Sequence, residues 1–358
     1  MVKHEMSHGK VNNPGAECCI PEEGRDPGYW KRKATRHIPG RFFNYLIALG
    51  AIFSLNFILP RLMPGDPLQA IYGDEALVAM TDEMQAQLIR QFSLNKSWWD
   101  QMLAYVTGLL QGDLGFSYYY REQVSQVIIG ALPWTLLLAG LALVMATAIG
   151  IILGIESGFR RGSSLDRGLV TSLMFLGGFP DFFIGILLLL IFAVSLDVLP
   201  LSGATSPYAG YGGFDYILDV LKHLALPLAS MVLVQLGGIF LLTRNTIVTL
   251  LGESFILTAR AKGCSEKCIK YAHAGRNSLL PVTTATGMRI PHLITGALFI
   301  EIVFSYPGIG SLLNTAIAAR DYPLIQGILL VVTLTVLTAN FLVDLLYMRL
   351  DPRVKYAH

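Results

Sequence analysis

The chain has 358 residues, 53% of them hydrophobic and 15% charged, with 27 basic against 25 acidic side chains for a formal net charge of +2, and its mean hydropathy is +0.53. So large an apolar share exceeds what soluble domains carry and predicts an integral membrane protein. A charge balance so near zero excludes a nucleic-acid binder, and the basic residues matter through their placement rather than their sum.

Residues 1–40 hold several Gly and Pro and few apolar clusters, so they are expected to form a poorly ordered tail. The first apolar run, Phe42 to Pro60, lacks a small-residue cleavage pattern and reads as a retained span over 41–60. The region 61–133 is longer than a plain connection and contains amphipathic pieces at Thr81 to Gln91 and Trp98 to Leu110. It predicts a small folded extracytoplasmic layer, with Trp98, Trp99 and Tyr118 to Tyr120 suited to a membrane interface.

Further runs of about twenty residues follow at Trp134 to Ile155, Leu169 to Leu196, Leu224 to Leu242, Val282 to Phe304 and Leu324 to Tyr347. The predicted fold is all-α, with six transmembrane helices. A five-helix core occupies 134–347, carries a polar loop at 243–281, and precedes a tail at 348–358. Within the third run, Gly177, Gly178 and Pro180 predict a kink beside Asp181. The outer loop Asp197 to His223, rich in Gly, Pro and Tyr, predicts surface turns.

Placing the N-terminus inside puts about 20 of the 27 basic residues on the cytoplasmic side and about six outside. Both termini are therefore expected to be cytoplasmic.

Ionisable side chains within spans are costly and point to a pathway or a pairing. Arg289 and His292 stand three apart in the fifth run, and with Asp181 they are the candidate translocation-path residues. Arg289 either meets an anionic group such as a peptide carboxylate, or serves a structural pair with a carboxylate of a partner subunit or snorkels toward the inside. Glu301 is expected to hydrogen-bond the outer end of its span, and Asp66 and Asp321 to order turns or cap helices.

The segment Glu253 to Pro281 is charged and lies between apolar runs. Glu253 to Lys262 suits a helix, Gly263 a sharp turn, and Ser265 to Asn277 a second helix. Such a cytoplasmic helix–turn–helix, with small residues at Ala259, Ala261 and Gly263, can seat in a partner and pass rigid-body motion into the spans. Cys264, Cys268 and His273, like His4, His8, Cys18 and Cys19, have no established zinc spacing; free thiols and no metal are expected.

From about residue 40 onward the chain resembles the permease subunits of binding-protein-dependent ABC importers, in the dipeptide, oligopeptide and nickel branch. The likeness rests on RLMPGDP at Arg61 to Pro67, GDLGFSY at Gly112 to Tyr118, TARAKG ending at Gly263, and HAGRNSLLP ending at Pro281. It extends through EIVFSYPGIGSLL at Glu301 to Leu313, RDYPLIQG at Arg320 to Gly327 and NFLVDLLYMRLDPR at Asn340 to Arg353. Members typically read HALRNALLP, so Gly275 departs from the pattern.

The resemblance implies the type I ABC importer permease fold in a prokaryotic plasma membrane, with an insertion between helices 1 and 2. It implies three kinds of partner besides the lipid: a second, homologous but distinct permease, two cytoplasmic ABC ATPase subunits using ATP and Mg, and an extracytoplasmic binding protein that delivers di- or oligopeptides. Glu253, Ala259, Arg260, Lys262, Gly263, Arg276 and Asn277 would then couple to the ATPase, with Ala259 and Gly263 at the closest approach.

The chain has no Gly-rich phosphate loop, so it is not expected to be an enzyme or to bind a cofactor itself. A nickel or other small-solute importer is the alternative. An ion-coupled secondary transporter would show inverted repeats with paired broken helices, and no repeat is seen. An intramembrane enzyme would need a nucleophile with its base or a ligand cluster, and neither is found.

Overall fold

The structure, a computed structural model, describes residues 50–62, 68, 72–91 and 95–350. The chain divides into two compact units, Met1–Leu55 and Asn56–His358. Residues 50–55 of the first unit are helical, and Ser54 Oγ donates to Gly50 O at 2.8 Å. The second unit holds everything discussed below.

Its elements, in chain order, are α1 (Asp74–Ala79), α2 (Asp82–Gln91), α3 (Trp98–Leu110), α4 (Val124–Phe159), α5 (Ser164–Leu176) and α6 (Asp181–Leu188). A π-helical turn, Leu189–Ser195, continues α6. There follow α7 (Phe214–Leu250), α8 (Ser254–Ala261), a second π-helical turn (Cys268–Gly275), α9 (Arg276–Gly287), α10 (Ile290–Val303), α11 (Ile309–Ala318) and α12 (Tyr322–Leu350). Among the described residues extended pairing is limited to one isolated antiparallel bridge, Phe116 with Gln123, so the expectation of an all-α chain holds there.

Three helices are long and apolar enough to cross a membrane among the described residues: α4, α7 and the stretch Tyr322–Ala339 of α12; α5 with α6 makes a fourth if that bent pair counts as one span. Six continuous spans are not seen in this set. The first part of the run Phe42 to Pro60, residues 42–49, lies outside the described residues, and the fifth expected span is divided into α9 and α10. The third is bent by 99° at residues 177–180. That bend is sharper than a kink, because Gly177 and Gly178 end one helix and Pro180 caps the next, so no backbone bonding carries across.

Two spans also begin earlier than expected. Helix α4 starts at Val124 and runs through Pro133, and α7 starts at Phe214 and runs through Pro227, which shortens the preceding outer loop. Proline ends helices in water, but inside a packed apolar bundle neighbouring helices and hydroxyls re-satisfy the freed carbonyls. Separately, the carbonyl of Pro227 itself accepts the Ser230 hydroxyl at 2.7 Å.

The pair α4 and α7 forms the centre. Gly150, Gly154 and Gly158 lie four apart on one face of α4. A Cβ on Gly154 would lie 2.5 Å from Thr243 Cβ, and one on Gly158 would lie 2.8 Å from Arg244 O. In a solvent of hydrocarbon the pairing gains little from burying apolar groups, so contact between backbones and dispersion have to hold it. Around this axis Leu138, Met231, Leu293, Ala297, Ile300 and Phe304 join α4, α7 and α10 in one buried cluster. A second cluster joins Val124 and Ile128 to Ile309, Leu312, Leu324 and Ile328. Outward-facing Ile129, Val144, Ile152 and Phe175 are exposed, the distribution that a lipid or subunit contact requires.

Candidate functional site

At one end of the bundle α8 stops in a Schellman cap. Gly263 has φ +80, its N–H donates to Arg260 O at 2.9 Å, and the Cys264 N–H reaches back to Ala259 O at 3.1 Å. The left-handed backbone at the residue after the cap favours glycine. The residue four before it faces the bundle, and its methyl is buried with Ile155, Ile247, Ile256, Ile269 and Ala274. The Ala259-to-Gly263 spacing is thus a helix-ending signal as much as a docking one. It corrects one expectation, since Ala259 at 5% exposure lies against its own chain and is not on the outer surface.

The reverse arm begins at Ser265, whose Oγ caps the Cys268 N–H at 3.4 Å. The helix there is not the plain α-helix that was expected but a π-turn over Cys268–Gly275. Gly275, the departure from the family pattern, is buried. A Cβ there would lie 2.9 Å from Lys270 O and 3.3 Å from Ile155 Cδ1. Glu253, Arg260, Lys262, Gly263, Arg276 and Asn277 are all exposed on this end, and Asn277 Nδ2 donates to His273 O at 2.8 Å.

Two ion pairs, both missed in the sequence reading, fix this end to the central helices. Lys270 meets Glu156 of α4, which Arg160 also approaches at 2.8 Å. Asp166 of α5 accepts both Arg244 Nε at 3.0 Å and Arg244 Nη2 at 2.8 Å. The Ser157 hydroxyl and the Gly162 N–H complete its shell at 2.5 and 2.8 Å. A fork-to-fork pair with every acceptor position used is the geometry that makes a buried charge tolerable. Sequence spacing had no way to pair residues so far apart.

Deeper in the bundle a cavity of about 450 Å³ is lined by residues that include Asp181, Arg289 and His292, so the three candidate path residues share one space. Asp181 opens α6 after Pro180, and Arg289 stands at the junction before α10. Arg289 and His292 therefore do not ride one uninterrupted helix. Pro291 lacks the N–H that would continue α9 and sits in the first turn of α10. The Gly287 and Pro291 pair was the legible signal. The Arg289 guanidinium lies over Gly238 of α7, where any side chain would collide with it. Asp181 Oδ2 would lie 2.8 Å from a Cβ on Gly296.

At the opposite end Glu301 is fully buried, and its Oε2 accepts the Gly310 N–H at 2.6 Å. Gly308 packs against the same carboxylate. Asp321 caps α12 through the Leu324 N–H at 3.2 Å. It also accepts the Ser117 hydroxyl at 2.5 Å and the Tyr119 N–H at 3.0 Å. Burial pushes the Asp321 carboxyl up, while these donors act to lower it. Burial likewise raises the neighbouring Tyr118 phenol to about 12. Asp66 lies outside the described residues, as do His4, His8, Cys18 and Cys19.

Residues 146–356 match the family of binding-protein-dependent transport system inner membrane components. Over 317 residues the chain is 37% identical to the di/tripeptide transport system permease protein DppB of Pseudomonas aeruginosa (strain UCBPP-PA14), covering 84% of this chain and 93% of that one. It is 34% identical over 319 residues to the dipeptide transport system permease protein DppB of Escherichia coli (strain K12), with the same coverages. A solved structure described as an amino acid ABC transporter with histidines aligns with 63% of this chain and 94% of its own, at 12% identity and a TM-score of 0.47, too loose a likeness to place side chains.

Proposed function

This chain belongs to the binding-protein-dependent transport system inner membrane components, and from that premise we propose that it is the permease subunit of an ATP-driven peptide importer, forming half of the translocation path. The observation that carries the reading beyond membership is the meeting of two interrupted helices at one cavity, the α5/α6 break and the α9/α10 break. Irregular backbone inside a membrane survives where it lines a cavity and not where it faces lipid. A peptide is a zwitterion at its ends. Arg289 would take the carboxylate as a charge-assisted contact, and Asp181, with His292 beside it, would take the ammonium.

In this reading the exposed arm from Glu253 to Asn277 faces the cytoplasm and seats in one of two ABC ATPase subunits, which use ATP and Mg. Glu253, Arg260, Lys262, Gly263, Arg276 and Asn277 form its outer face, and Ala259 sets its angle from within. The Lys270–Glu156 pair ties the arm to α4, and Asp166–Arg244 braces α7 against α5 at the same end, so a push on the arm is delivered to a stiffened pair of central helices. A second permease, an extracytoplasmic binding protein, six spans with both termini cytoplasmic, and a prokaryotic plasma membrane complete the assembly. This chain binds no cofactor of its own in that scheme.

The test is Gly263→Val. A β-branched residue is strained at φ +80, so peptide uptake in cells should fall by at least about tenfold while membrane levels and co-purification with a second permease persist. Normal uptake at normal expression would remove the arm from the coupling path.

A further inference from the structure

The arm brings together Cys264, Cys268 and His273. Their sulfurs and a ring nitrogen lie within 4.8 Å of one another, although their spacing in the sequence matches no established zinc pattern. Two features of the backbone account for this. The cap at Gly263 turns the chain so that Cys264 packs back on the cluster around Ala259 instead of leaving with the loop. The π-turn then stacks Cys268 on His273. Its bonds close five residues apart, whereas an α-helix would rotate that pair by about 140° to different faces. One π-turn in a short polar arm weakens the local hydrogen bonding, and such turns concentrate at functional sites.

We propose that Cys264, Cys268 and His273 form a site for a thiophilic cation of the Zn2+ class in the coupling arm. Two thiolates and a neutral imidazole are a ligand set for zinc. At ordinary zinc–ligand lengths tetrahedral donors stand about 3.5–3.8 Å apart, so rotamer adjustment alone closes the present triangle onto an ion. Binding releases the two thiol protons, and the two thiolates neutralise the dication; the imidazole donates its lone pair. The fourth position is left to water, since the three side chains are only partly buried. The ion would join the residue after the Gly263 turn to both levels of the π-turn. That would brace the bend through which the arm changes direction.

The experiment uses the full chain with its partner subunits in detergent, in a Cys18→Ser/Cys19→Ser background so that the tail's thiols do not contribute. After chelator treatment and dialysis, Zn2+ is titrated against a competing chromophoric chelator, and maleimide labelling of Cys264 and Cys268 is followed with and without Zn2+. One Zn2+ per chain, protection of both thiols, and weakening by more than about tenfold in Cys264→Ser, Cys268→Ser and His273→Ala are expected. Substoichiometric uptake, thiols that label equally fast with Zn2+ present, or unchanged affinity in His273→Ala would each overturn the site. Because the readout is binding and not transport, the result is independent of whether the arm drives uptake.

Discussion

The two ends of the bundle handle their polar residues in opposite ways. At the end carrying Glu301 and Asp321 the carboxylates are fully buried and bonded to backbone N–H groups and a hydroxyl, which closes turns onto helices and presents no charge at the surface. At the arm end partly buried charges form side-chain pairs, Asp166 with Arg244 and Lys270 with Glu156, while Arg260, Lys262 and Arg276 stay exposed. The first arrangement locks a loop in place. The second stiffens a projection while leaving its surface free, which suits the coupling role proposed for it.

The largest effect that separates the ends should come from Asp166→Ala. It leaves the Arg244 guanidinium without its partner in a largely buried site and should cost about 3–5 kcal/mol, seen as a lower unfolding midpoint in detergent. Removing both partners in Asp166→Ala/Arg244→Met should recover part of that loss. An additive double variant would mean the pair does not hold the two helices together. Next is Asp321→Ala, which strips the cap from α12 and leaves the Ser117 hydroxyl and Tyr119 N–H without their acceptor. About 2 kcal/mol should be lost, with proteolytic cutting near residues 112–122 as the sign that the loop has been released. The smallest change in stability should follow Arg260→Ala, an exposed cation whose loss should move the unfolding midpoint by less than about 0.5 kcal/mol while weakening retention of the ATPase subunit. A large stability loss there would show that the arm's surface is structural after all.

The interrupted helices also correct a way of reasoning. Inverted repeats with paired broken helices were the marks expected of a secondary transporter, and this chain has two broken helices, at Asp181 and Arg289, without the repeat. The family assignment rests on sequence likeness along most of the chain, which the broken helices do not alter. A break is a way to build a polar cavity in hydrocarbon, and it is not tied to one energy source.

What the sequence alone determined was the class of protein, the polar arm with its turn at Gly263, and the three ionisable residues, Asp181, Arg289 and His292, that are among those lining the cavity. Each is encoded locally, in hydropathy, in a glycine that a left-handed turn favours, or in a charge where charge is costly. Only the tertiary structure decided that Ala259 faces inward, that α4 and α7 touch through Gly150, Gly154 and Gly158, that Asp166 finds Arg244, and that Cys268 stands over His273. Those outcomes depend on which backbones approach closely and on five-residue instead of four-residue helical bonding. No window of sequence contains the partner whose packing makes that choice.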